Sequence, residues 1–270
     1  MKHNSPEALQ FQGFLSSASL WTGNTMEGLK QFQLKQKNEN ITPKFKPTNL
    51  RLGKWVERLV IAQLNSYKNI SILAENIQIQ NGKITIGELD LLILNDNKPI
   101  HLEIVYKFYL YDKSVGESEI DHWIGPNRKD SFNQKLDKLC NKQLPLLYNQ
   151  YTTPYLSNIN LEASSIEQQV YFKAQLFVPL KDYGNGFPVI NNDCITGFYI
   201  YPKDLNQFSN SKFYIPSKHN WLITPHTNVS WLSFPAFKDR LQEHLNQKNA
   251  PLYWLKKPNG QLFKLFVVWW

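Results

Sequence analysis

Four ionisable side chains interrupt the apolar stretch GELDLLILNDNKPIHLEIVYKFY, residues 87–109: Glu88, Asp90, Glu103 and Lys107. The stretch reads as two strands, 84–94 and 100–109, joined through NDNKP. Alternation places Ile86, Glu88, Asp90 and Leu92 on one face of the first strand. It places His101, Glu103, Val105, Lys107 and Tyr109 on one face of the second. The opposite faces carry Leu89, Leu91 and Ile93, and Leu102, Ile104, Tyr106 and Phe108, which suit a core. A two-residue loop at Asp96-Asn97, or a four-residue loop from Asn95 to Lys98, pairs Asn95 with Lys98. Either loop sets Asp90 opposite Glu103 and Glu88 opposite Val105.

Opposed carboxylates, with Cβ atoms about 5 Å apart, destabilise a bare sheet. Burial beside an apolar layer strengthens the repulsion. A divalent cation reverses its sign, because hard oxygen ligands suit Mg2+. Two readings stay open on pattern alone: a metal centre, or acids solvated on an exposed sheet face. Lys107 stands four residues beyond Glu103, about 13 Å along the strand. Its flexible stem shortens that gap. In phosphodiester hydrolysis an ammonium there would steady the attacking water or the charge developing on the phosphoryl group.

Such side chains need elements to hold them. Residues 49–66 carry Leu52, Val56, Leu59, Val60 and Leu64 at helical spacing. Residues 71–80 read as a strand, and NGK after them as a turn. A loop, 113–126, ends in HWIGPN and precedes a helix expected over 128–149, with Phe132, Leu136, Leu139, Gln143 and Leu147 near one stripe. VYFKAQLFVPL, 170–180, is a further strand, and the helical crossover suits its parallel addition to the sheet. These elements predict an α/β core over 49–182. Residues 1–48 predict an N-terminal helical arm, a short helix or two, with the linker KQKNENITPKFKP. Residues 183–270 predict an aromatic-rich α+β elaboration packed on the core: short strands at ITGFYIYP, KFYIPS and NWLITP, a helix at FPAFKDRLQEHLNQ, and a hairpin turning at PNGQ.

Of the 270 residues, 42% are hydrophobic and 14% aromatic, enough burial to offset chain entropy. Two distant cysteines, Cys140 and Cys194, exclude a disulfide framework and a cysteine-based zinc site, and favour a reduced intracellular compartment. The N-terminus lacks the apolar segment of a signal peptide, and no apolar run approaches the roughly 20 residues needed to span a bilayer. A soluble, cytoplasmic protein without a membrane partner is expected. The net charge of +8 points to an anionic partner, nucleic acid above all. Genomic base bias toward Lys and Asn is the plain counter-explanation. With arginine only at 51, 58, 128 and 240, bidentate base readout is not expected to dominate.

The helix LGKWVERL, followed by GELDLL and HLEIVYK, resembles the PD-(D/E)XK nuclease superfamily, which includes restriction endonucleases and Holliday-junction resolvases. GELDLL…HLEIVYKFYL…WIGPNRKDSFNQKLDKL resembles more closely an uncharacterised bacterial domain-of-unknown-function family, DUF1853, placed in that superfamily. The likeness extends over most of the chain, and its strongest motifs lie within 50–140. It implies a restriction-endonuclease-like core: helix, three-stranded meander, crossover helix, strand. It implies Asp90 as the central metal-binding aspartate, Glu103 as the acid of the (D/E)XK triplet, Glu57 as the helix glutamate and Glu88 as an outer ligand. The triplet's lysine place holds Val105, and Lys107 keeps the face two residues on. The implied chemistry is phosphodiester hydrolysis of DNA or RNA with Mg2+ or Mn2+ on Asp90, Glu103 and a backbone carbonyl near residue 104. The displaced lysine gives the rival reading, an inactive nuclease fold that binds nucleic acid or a protein partner.

Outside that set, His122, Arg128, Lys129 and Lys135 lie in or just after the HWIGPN loop and are candidate phosphate contacts. A capped helix start with a solvated basic first turn is the plain alternative; cations there oppose the helix dipole, and both readings stay open. His101 is expected as an edge histidine without a role. Trp123, Trp221, Trp231, Trp254, Trp269 and Trp270 could stack on bases, but strand-spaced aromatics more often pack in a core. No glycine-rich phosphate loop or Ser/Cys nucleophile set is present.

Overall fold

A computed structural model describes residues 5–23, 25–34, 45 and 49–270 of the chain. The expected linker over 35–47 lies almost wholly outside them. In chain order the elements begin with α1 (Pro6–Ser16), β1 (Thr25–Met26), β2 (Leu29–Lys30) and α2 (Leu52–Leu64). The meander β3 (Ile70–Asn81), β4 (Ile84–Asn95) and β5 (Lys98–Tyr111) follows. Next come β6 (Trp123–Ile124), α3 (Phe132–Lys138), α4 (Thr153–Asn158) and β7 (Glu167–Pro179). The remainder is β8 (Ile195–Ile200), β9 (Lys212–Tyr214), α5 (Phe234–Asn246), β10 (Leu252–Lys256) and β11 (Leu262–Val267). The fold is mixed α/β, with a large mixed sheet and several helices. No helix among the described residues is long and apolar enough to cross a membrane.

Contacts divide the chain into two compact units, each assembled from separated stretches. One unit contains Ser19–Tyr106 and Gln134–Lys173. Its strand order is β3-β4-β5-β7. Val56, Leu59, Val60 and Leu64 of α2 are buried, as their spacing requires. Asp96 and Asn97 take φ of 49° and 64°, so the β4–β5 turn has two residues and Asn95 pairs with Lys98. The β4–β5 ladder runs from that pair to Leu91↔Leu102, whereas β4 stays paired with β3 as far as Asn81↔Ile84. The ladder with β5 therefore ends just before Asp90. A core of Ile77, Ile79, Leu89, Leu92, Leu146, Leu147, Leu156 and Ile166 lies in this unit.

The helix expected over 128–149 is shorter. Regular α3 ends at Lys138; the coil then widens over Leu139–Gln143, where the Leu144 N–H donates to the Leu139 carbonyl, and tightens over Leu144–Tyr148. Pro145 lacks an N–H and its ring crowds the carbonyl four residues earlier, so α-helical bonding cannot pass through it.

The other unit contains Met1–Ala18, Lys107–Asn133 and Ala174–Trp270. Within it β8 lies parallel to β7 and β11, and β10 is antiparallel to β11 and β9. β6 pairs with the end of β5 at Leu110↔Ile124 and Tyr111↔Trp123. PNGQ turns the β10–β11 hairpin, and FPAFKDRLQEHLN forms α5, as expected. NWLITP is not a strand. His219–Leu222 is a 3-10 turn, and the Trp221 carbonyl accepts from buried Lys264 at 2.7 Å instead of joining a ladder. Trp123, Trp221 and Trp254 are buried and pack in the core.

Candidate functional site

Within the first unit, β4 presents Glu88 and Asp90 on one face, and α2 presents Lys54 and Glu57 three residues apart. One carboxylate oxygen from each of Glu57, Glu88 and Asp90 lies within 4.8 Å of the others. The Lys54 ammonium donates to Glu57 Oε2 at 2.9 Å, to Asn76 Oδ1 at 2.6 Å and to Glu88 Oε1. Asn76 belongs to β3 and takes φ of 53°, a left-handed conformation that asparagine tolerates better than most residues.

Asp90 Oδ2 accepts the Ile104 N–H at 2.8 Å. The carboxylate thus takes a strand amide where the β4–β5 ladder has ended. Burial, then the charge of Glu103, pushes the Asp90 pKa up to about 8; the Ile104 N–H and Lys135 pull the other way, and Glu57 adds to the rise. Glu57 is also raised, by burial first, against the lowering effect of Lys54.

Glu103 is fully buried and so is His101. Glu103 Oε1 lies 3.0 Å from His101 Nε2, and its Oε2 accepts from the Gln143 amide. Gln168 donates to the Leu144 carbonyl at 2.6 Å, and its amide nitrogen lies 3.0 Å from His101 Nδ1. With Nδ1 accepting, the imidazole proton sits on Nε2 and points to Glu103. Lys135 of α3 donates to Gln143 Oε1 at 2.6 Å. The widened coil after α3 thus carries the amide that joins Lys135 to Glu103. An all-oxygen acidic cluster of this kind matches the donor set of Mg2+ or Mn2+.

The expected residues fall into three groups. Glu57, Glu88 and Asp90 converge. The charge of Glu103 acts on Asp90 and Glu57, but its two oxygens are engaged by His101 and Gln143. Lys107 belongs to the other unit, where its ammonium pairs with Asp130 at 2.6 Å. Of the expected phosphate contacts, Lys135 is the cation beside Asp90. His122 donates Nδ1–H to the Val115 carbonyl at 2.7 Å and sets its ring edge against Tyr111. Arg128 pairs with Asp112 at 2.9 Å and lies over the Trp270 ring at 4.5 Å. Both are engaged within their own unit, whereas Lys129 is exposed. His101 is no edge residue: it is fully buried on β5, and its imidazole belongs to a network with Glu103 and Gln168.

Sequence reasoning missed Lys54, Gln143 and the role of His101. The Lys54–Glu57 spacing on a helix is a legible signal for the first. The His101–Glu103 alternation on one strand face is a signal for the third. Gln143 offers none, since its placement depends on the widened coil. A family model described as Domain of unknown function (DUF1853) matches residues 7–268. No curated protein and no solved structure matches the chain.

Proposed function

We propose that this chain, which belongs to the DUF1853 family, is a metal-dependent phosphodiester hydrolase acting on nucleic acid, with a core of the PD-(D/E)XK type. The convergence of Glu57, Glu88 and Asp90 from a helix and a strand, beside buried Glu103, carries this reading. The order α2, β3–β4–β5 meander, α3, β7 agrees with it, as does the net charge of +8 toward a polyanionic substrate.

Asp90, Glu57 and Glu88 would hold Mg2+ or Mn2+. When bound, such an ion polarises a phosphoryl oxygen and lowers the pKa of a coordinated water. The Ile104 N–H fixes one Asp90 oxygen and so sets the direction of the other. His101 and Gln143 fix Glu103, whose charge keeps the cluster attractive to a cation. Lys135, held by Gln143, supplies the positive charge beside Asp90 that the family's triplet lysine would supply from the place of Val105.

The test is incubation of the pure protein with plasmid, single-stranded DNA and RNA in Mg2+ or Mn2+. Cleavage is expected, and Asp90→Ala should reduce it at least about 100-fold. Cleavage that survives this substitution belongs to a contaminant. Val105 at the triplet position and the engagement of Lys107 by Asp130 favour a second reading, an inactive fold that binds nucleic acid. Salt-dependent binding without cutting identifies that case.

A further inference from the structure

The acidic cluster already holds a cation of its own. Each hydrogen of the Lys54 ammonium has an oxygen acceptor: Glu57, Asn76 and Glu88. Lys54 lies in the first turn of α2, where the helix dipole disfavours positive charge. Its placement there is therefore set by the carboxylates and not by the helix.

Charge balance leads to a count. Glu57, Glu88, Asp90 and Glu103, once ionised, bring four negative charges, and Lys54 and Lys135 bring two positive. One divalent ion closes the difference. A second beside Lys54 would leave an excess of two positive charges in a partly desolvated setting, twice the excess it would leave if Lys54 were neutral. Two-ion phosphodiesterase centres place their metals about 3.5–4 Å apart between shared carboxylates. Glu57 and Glu88 are arranged to share a cation in that way, and the cation between them is Lys54.

We infer that the Lys54 ammonium stands in for a second divalent ion between Glu57 and Glu88, so that the centre takes one divalent cation and not two. The inference rests on the metal chemistry proposed above and goes beyond it by fixing the stoichiometry. The experiment is calorimetric titration of the full chain with Mn2+, comparing the unsubstituted protein with Lys54→Met, Lys54→Gln and Lys54→Arg. The Lys54 side chain is 43% exposed, so its replacement opens no internal cavity. Two neutral variants guard against one failing to fold, as judged by its thermal melt. One Mn2+ per chain is expected for the unsubstituted protein and for Lys54→Arg, and two for Lys54→Met and Lys54→Gln. Two ions in the unsubstituted protein, or no gain of an ion in the neutral variants, overturns the inference and leaves the metal centre standing. No Mn2+ in any of the four overturns the metal centre itself, and the inference with it.

Discussion

Asp90 shows how one side chain can tie stability to pH. Its folded pKa, about 8, lies far above the ordinary 3.8, mainly through burial and the nearby Glu103. Between those two values the folded state binds a proton that the unfolded state has released. Stability of the metal-free protein should therefore fall as pH rises from about 4 to about 8. Asp90→Asn keeps an acceptor for the Ile104 N–H and removes the titration. Its thermal midpoint should exceed that of the unsubstituted protein by about 3 °C or more at pH 8, with little difference at pH 4. Mg2+ at pH 8 should raise the midpoint of the unsubstituted protein and leave that of Asp90→Asn unmoved. Equal pH slopes for the two proteins would show that Asp90 is not the group responsible.

At the scale of elements, close approach of backbones matters more than side-chain chemistry. Gly197 of β8 lies against β11, and a Cβ there would stand 2.3 Å from the Lys264 carbonyl oxygen and 2.8 Å from the Phe177 ring. Parallel strands cannot move apart locally without breaking their ladder. Gly197→Ala should destabilise by about 1–3 kcal/mol. Gly53, within α2, has nothing within 4 Å of its would-be Cβ. Gly53→Ala should stabilise by up to about 1 kcal/mol through helix propensity. Paired urea unfolding curves for the two variants check both signs. In the coil after α3, Pro145 prevents a return to α-helical bonding, and the widened stretch before it carries Gln143, which donates to Glu103.

For the molecule as a whole, the positive charge is not all on the surface. Lys264 of β11 is buried, with its amine donating at 2.7 Å to Gln175 Oε1 and to the Trp221 carbonyl. Burial lowers its pKa to about 7 from 10.5. Above pH 7 the unfolded state holds a proton that the folded state has lost, so this lysine makes stability rise with pH between about 7 and 10.5, the opposite sign to Asp90. Lys264→Met should flatten that rise and raise the thermal midpoint at pH 6 by several degrees, because an ammonium no longer has to be desolvated. A midpoint that drops at pH 6 would mean that the two hydrogen bonds outweigh the burial of charge.

Local periodicity makes much of this legible in the sequence alone. The meander, its two-residue turn as one of two choices, α2, α5 and the last hairpin follow from alternation, helical spacing and turn residues. The common face of Glu88 and Asp90 follows from the same two-residue period, and Glu57 was reached through the family likeness. Which cation serves which acid was decided only in three dimensions. Lys54 meets Glu88 across 34 residues, and Gln143 meets Glu103 across 40. Lys107 is taken by Asp130. Periodicity fixes the face a side chain occupies, because it reports on backbone geometry within one element. Ion pairing depends on how separate elements pack, and a lysine's long stem lets it choose among several acids, so a single sequence carries no periodic trace of the choice.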